Sequence, residues 1–193
     1  KIEFGFDEAY SISQLDDMLP KLMGNQAKLF YSLGASSEWD VKVTAWLNKV
    51  KDLARTGVSA PETIEDVRQL IDAQRLIKSS YEQATMRLSG NIAAAAHNRA
   101  MRFVKPKMNE YEVEAEFLHE FYKNSAQSPA YTSIIAGGAN ACTLHYNANN
   151  CVLNEGDLLL IDAGCELDGY ASDITRTFPV NGKFNAAQKD LYQ

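Results

Sequence analysis

This 193-residue chain has only three cysteines, five prolines and no long apolar run. Cys142, Cys151 and Cys165 lie 9 and 14 residues apart. So sparse and odd a set describes neither a disulfide framework nor the CxxC pairs of a structural zinc site, and free thiols are expected. No apolar stretch approaches the roughly 18 residues that a membrane span requires. Positive charge is also in deficit: 19 Lys and Arg stand against 25 Asp and Glu, a net charge of −6. That balance argues against a nucleic-acid partner, which is usually gripped by a basic patch. The opening KIEFGFDEAY has no basic stretch leading into an apolar core, so no signal peptide is expected and a cytoplasmic location is. Apolar residues make up 46% of the chain, which excludes a disordered chain and permits a packed core.

The pattern along the chain divides near residue 76. Before it, helix and strand alternate. Residues 11–23 carry Leu15, Leu19 and Leu22 at near-helical spacing, residues 28–33 (KLFYSL) suit a short strand, and residues 39–53 hold a second apolar stripe. After the turn chemistry of RTGVSAP and a short charged segment, the spacing predicts a long helix over 81–104, capped by Ser79-Ser80 and ended by Pro106. Gly90 is its weak point, tolerable where a neighbour packs closely. A second helix over 111–124 has an apolar face of Val113, Phe117, Leu118 and Phe121. From Tyr131 the pattern becomes strand-like, so the second part is α+β, helices followed by antiparallel strands. Asn185 is a good N-cap for AAQKDLYQ, and the chain stops after two turns of it. A helix that short is marginal alone, so the chain is expected to be a fragment cut inside a helix.

The chemistry concentrates in LLLIDAGCELDGYASDIT. An apolar run leads directly into Asp162, where a charge is costly unless paired, hydrogen-bonded or metal-bound. Asp168-Gly169 is a strong hairpin signal. A turn centred on Leu167-Asp168 places Asp162 opposite Asp173; a turn at Asp168-Gly169 makes them diagonal neighbours. Either register holds the carboxylates about 4.5–8 Å apart on one face. Two bare carboxylates so close repel, and a cation removes that penalty. Oxygen-only ligands favour hard ions such as Mn, Mg or Ca. The alternative leaves Asp162 as a turn residue and Asp173 as a solvated strand residue. His145, in CTLHYN at the end of an apparent strand, is either structural or catalytic. A hairpin through NANN would return it to the end of the sheet that carries Asp162. His97 and His119 fall in helices and are expected to be structural or solvated.

The stretch IIAGGANACTLHYNANN, followed by LNEGDLLLIDAGCELDGYASDITRTFPVNGKF, resembles the metal-binding core of the pita-bread metallopeptidases, on the aminopeptidase P and prolidase branch. RLIKSSYEQATMRLSGNIAAAAHNRAM resembles the linker and first helix of the same catalytic domain. The resemblance implies that 1–75 is the C-terminal part of a smaller α/β N-terminal domain and 76–193 the first half of a pita-bread domain. It implies two divalent metal ions, usually Mn(II), with Asp162 and Asp173 among five protein ligands and Asp173 bridging. A His and two Glu supply the rest in this family, farther along than residue 193. It further implies that His145 binds substrate and stabilises the tetrahedral intermediate, and that Tyr131 lines the same pocket. The implied activity is hydrolysis of the N-terminal Xaa-Pro bond of peptides by a metal-bound hydroxide, in a homodimer or homotetramer. With two ligands of five, the 193-residue chain alone is expected to be inactive. Prolidase action on dipeptides, and a non-catalytic binding module, are the alternatives. Methionine aminopeptidases lack the SDITRTFP continuation, and the metal-free creatinase is disfavoured by the intact Asp pair.

Overall fold

The structure is a computed structural model describing residues 5–193, and it separates into two compact units that meet between Ile77 and Lys78. The first contains α1 (Leu15–Met23), β1 (Lys28–Phe30), α2 (Ser37–Asp52), β2 (Thr63–Glu65) and α3 (Val67–Leu76). β1 and β2 pair in parallel, with Lys28 opposite Thr63. The core of this unit is Met23, Val43, Trp46, Leu47 and Val50, packed against Leu15, Leu19 and Leu29. The Trp46 indole is satisfied by Asp16 at 2.8 Å. Among the described residues no helix is long and apolar enough to cross a membrane, and all three cysteines are free thiols.

The second unit begins with α4 (Ser80–Phe103) and α5 (Glu110–Lys123). Each opens with a capping box, Ser79 with Glu82 and Asn109 with Glu112, which satisfies amides that the first helical turn leaves free. α4 turns a stripe of small residues inward: Ser89, Ala93, Ala96 and Ala100 are buried. The small side chains let the bulk of Val113, Phe117 and Phe121 on α5 close over them. Gly90 has no tight neighbour; an added Cβ would meet nothing within 4 Å. No close neighbour compensates for the weak point, and the glycine only loosens the helix. Gly90→Ala is therefore expected to raise the unfolding free energy by about 0.5–1 kcal/mol, read by denaturant titration; a loss of stability would show that the site is tighter than it looks.

Two three-stranded antiparallel sheets complete this unit. One is β3 (Ser128–Pro129), β6 (Cys165–Leu167) and β7 (Tyr170–Ala171), with β6 central. The other is β4 (Ile134–Gly137), β5 (Leu158–Ala163) and β8 (Ile174–Pro179), with β5 central. α6 (Ala186–Tyr192) ends the chain, capped by Asn185 and Gln188. Along β5, Leu159, Ile161 and Ala163 point into the helical core, so Leu158, Leu160 and Asp162 point the other way. Asp162 thus stands at the end of a strand whose alternate residues are locked in place.

The chain from 158 to 179 is one long hairpin that changes sheet in the middle. Its turn is Asp168-Gly169, with φ of +49° and +80°, and Leu167 faces Tyr170. The same register runs through to Asp162 opposite Thr175. Of the two registers the sequence allows, this is the diagonal one. At the change of sheet the strands nearly touch. A Cβ on Gly164 would lie 1.7 Å from the Ser172 carbonyl oxygen, so only glycine permits this approach.

Candidate active site

The bend of the hairpin is where the candidate residues meet. Asp162 precedes Gly164, Asp173 follows Ser172, and Tyr131 lies on the segment between β3 and β4 at the same level. The Tyr131 hydroxyl lies 2.6 Å from Asp162 Oδ1 and 3.0 Å from Asp173 Oδ1. One hydroxyl has one proton, so it donates to one carboxylate at a time while the two oxygens converge on it. Burial and both carboxylates push the Tyr131 phenol well above its ordinary pKa, so it stays a donor at neutral pH.

A cleft of about 360 Å³ opens beside this cluster, lined by Tyr131, Thr132, Ile134, His145, Asn147, Asp162 and Asp173. All four residues singled out from the sequence therefore face one cavity. His145 arrives by a different route from the one its sequence suggests. CTLHYN is not a strand: residues Gly138–Cys142 form a 3-10 turn, and His145 sits exposed in the irregular loop beyond it. Its φ is +54°, a left-handed conformation that costs a non-glycine residue about 1 kcal/mol and must be held by its surroundings. Because Ile134, at the start of β4, faces Asp162, the chain leaves β4 at the far end and the loop folds back to the cleft.

Two polar side chains, His97 and Glu110, are buried in the elements behind the site. His97 on α4 donates from Nε2 to the Ile174 carbonyl at 2.9 Å and packs edge-on against Phe117. Its Nδ1 has no partner. Burial lowers its pKa, outweighing the carbonyls of Ile174 and Ala163, so it is neutral and structural as expected for a helical histidine. His119 is exposed. Glu110, the first residue of α5, is completely buried. Burial alone would raise its pKa, but hydrogen bonds from Gly137, Asn140, Tyr146 and Cys151 outweigh it and hold the carboxyl below the ordinary range. The sequence did carry a sign of it: Glu110 falls on the same helical stripe as Val113, Phe117 and Phe121.

The donor set at the cleft has the right chemistry for a hard divalent cation: two carboxylates with oxygens turned toward a common point. Among the described residues no three His, Cys, Asp or Glu side chains cluster as a full metal site. Asp162 and Asp173 alone are two carboxylate ligands, not a complete metal site.

Comparison with known proteins bears on the same region. Residues 84–193, more than half of the chain, match the model of Metallopeptidase family M24. Over 98% of its length the chain is 43% identical to the Xaa-Pro aminopeptidase of Escherichia coli strain K12, covering 43% of that protein. It is 35% identical to the Homo sapiens Xaa-Pro aminopeptidase 3 over 98% of this chain and 36% of that one. The solved structure of Pseudomonas aeruginosa aminopeptidase PepP matches with a TM-score of 0.94 at 45% identity, over 98% of this chain and 43% of the other. Proline aminopeptidase P II from Yersinia pestis matches with a TM-score of 0.92 at 44% identity, over 99% and 44%. The chain spans less than half the length of these relatives. The α+β reading and the pita-bread resemblance hold in the observed fold. With the hairpin that presents two aspartates lying inside the matched region, the chain belongs to metallopeptidase family M24.

Proposed function

We propose that this chain is part of a metal-dependent exopeptidase that releases the N-terminal residue from peptides with proline in the second position. The observation that carries the reading is the convergence of Asp162, Asp173, Tyr131 and His145 on one cleft. The relatives named above as Xaa-Pro aminopeptidases support the choice of bond. On this reading residues 76–193 are the first half of the catalytic domain, and 1–75 the last part of a smaller domain before it. Three unpaired cysteines suit a reducing cytoplasm.

Asp162 and Asp173 would be among the ligands that hold two divalent ions, Mn(II) by preference. When bound, the ions supply a water of lowered pKa and positive charge at the scissile carbonyl. The protein's own part is positional. Tyr131 keeps both carboxylates turned toward the cleft. His145, exposed on the cleft wall, donates a hydrogen bond to the substrate carbonyl as negative charge develops on it. Ile134 and Thr132 give the cleft a partly apolar wall on which a compact prolyl ring can rest.

The test is an assay of the complete protein on Xaa-Pro dipeptides and tripeptides, with Mn(II) added or removed by a chelator. Release of the first residue from tripeptides, lost with the chelator and restored by Mn(II), is the expected result. Cleavage confined to dipeptides would move the reading to prolidase. No release under any metal condition would overturn the enzyme reading in favour of a binding module. The 193-residue chain assayed alone is expected to be inactive, because two carboxylates do not complete a metal pair.

A further inference from the structure

We infer that Glu110 is the positioning residue for His145, acting as a buried clamp on the loop that carries the imidazole. The inference rests on the proposed substrate role of His145. The loop between β4 and β5 has no regular structure after its 3-10 turn, yet it must hold His145 with a left-handed backbone at the edge of the cleft. Four donors on this loop and its ends meet one carboxylate. Glu110 Oε1 accepts from the Gly137 amide at 2.9 Å and the Asn140 side chain at 3.0 Å. Its Oε2 accepts from the Tyr146 hydroxyl at 2.7 Å and the Cys151 amide at 3.0 Å. Gly137 is where the loop leaves β4, Tyr146 is the residue next to His145, and Cys151 lies past the middle of the loop, ahead of β5, which starts at Leu158. The carboxylate therefore ties the segments on both sides of His145, from Gly137 to Cys151, to one point.

The point itself is rigid. Glu110 opens α5, whose Val113, Phe117 and Phe121 are fully buried in the core. Its backbone adds to the clamp, since its amide donates to the Cys151 carbonyl at 3.0 Å. One helical turn on, Glu114 accepts from Asn149, which in turn accepts from the Ile135 amide and donates to the Ser133 carbonyl. Every partner of the Glu110 carboxylate is a donor, so the site is matched to an ionised acid and to nothing else. Glutamine in its place turns an NH2 group toward either the Gly137–Asn140 pair or the Tyr146–Cys151 pair, and donor then faces donor. Core packing explains why an apolar residue would be found at this position; it does not explain a charge there. Fixing a loop by four charge-assisted hydrogen bonds does.

The test uses the complete protein with Glu110→Gln, Tyr146→Phe, His145→Ala and the two double variants that combine His145→Ala with each of the others. Hydrogen exchange of the Gly137 and Cys151 amides is expected to accelerate at least tenfold in Glu110→Gln, while the Leu159 and Ile161 amides of β5 keep their protection. On an Xaa-Pro tripeptide, Glu110→Gln is expected to lower kcat/KM at least tenfold with Mn(II) affinity unchanged, and to lower it no further when His145 is already alanine. Tyr146→Phe, which removes one donor and keeps the others, should show the same pattern more weakly and serves if Glu110→Gln does not fold. An equal loss in the His145→Ala background would overturn the inference, because Glu110 would then act on something else. So would unchanged exchange of the loop amides. If His145→Ala alone leaves kcat/KM intact, the substrate role of His145 fails; the exchange data then show separately whether the clamp exists.

Discussion

Alanine at position 164 is expected to destabilise the second unit by about 3 kcal/mol or more, the largest effect of any glycine-to-alanine exchange in this chain. An added Cβ would sit 1.7 Å from the Ser172 carbonyl oxygen, 2.5 Å from its carbon and 3.1 Å from the Asp173 amide. These are backbone atoms, and no side-chain rotation relieves the collision. The strands would have to part where neighbouring pairs are tightest. Ser172 donates to the Cys165 carbonyl at 2.9 Å, Cys165 donates to Ser172 Oγ at 3.0 Å, and Ala130 donates to the Gly164 carbonyl at 3.0 Å. Parting them also shifts Asp162 and Asp173 relative to each other, since each lies within two residues of the contact. Denaturant unfolding of Gly164→Ala should therefore show a marked loss of midpoint, or no soluble protein. A variant within about 0.5 kcal/mol of the parent would show that the hairpin can open at the bend without penalty.

The contrast with Gly90 is instructive. Both glycines interrupt regular structure, and nothing in the sequence ranks one above the other. Gly90 faces open space and can be replaced; Gly164 faces a backbone carbonyl and cannot. The difference lies in a contact between strand segments eight residues apart, which no local propensity encodes.

The aspartate pair was legible because two local signals agree. The apolar run 158–161 has the alternation of a strand, and Asp168-Gly169 is turn chemistry. What local pattern left open was the register. The structure selects the turn with Asp168 and Gly169 left-handed, because the other register would force Leu167 into a conformation that a branched apolar side chain disfavours. The strand-like composition of TLHY predicts a strand end at His145, where the structure has an irregular loop. The chain bends instead because Gly137, Gly138 and four asparagines, Asn140, Asn147, Asn149 and Asn150, favour turns, and because Glu110 draws Gly137 and Cys151 to one point. That last cause is tertiary. It shows in the sequence only as a charge set on the buried stripe of α5.

Exchanging Asp173 or Asp162 for asparagine is expected to separate function from stability in opposite directions. In the metal-free protein the two carboxylates converge on a single hydroxyl proton, so one of them always lacks a matched donor there. Asparagine has nearly the same shape, removes one negative charge and brings its own NH2 donor. The metal-free variants should be as stable as the parent or more so, by up to about 1 kcal/mol. On the proposed metal reading, peptidase activity of the complete protein should fall by about a thousandfold or more, because a lost metal ligand removes several kcal/mol of transition-state stabilisation. The checks are denaturant unfolding in chelator and kcat/KM on an Xaa-Pro tripeptide with Mn(II). A residue kept for folding behaves in the reverse way, losing stability while the chemistry of the folded fraction survives. If either variant unfolds more easily by over 1 kcal/mol while kcat/KM stays within threefold of the parent, the aspartates are structural and the metal reading fails. The expected outcome instead identifies a site whose close carboxylates are a liability to the metal-free fold and are useful only when a cation is bound between them.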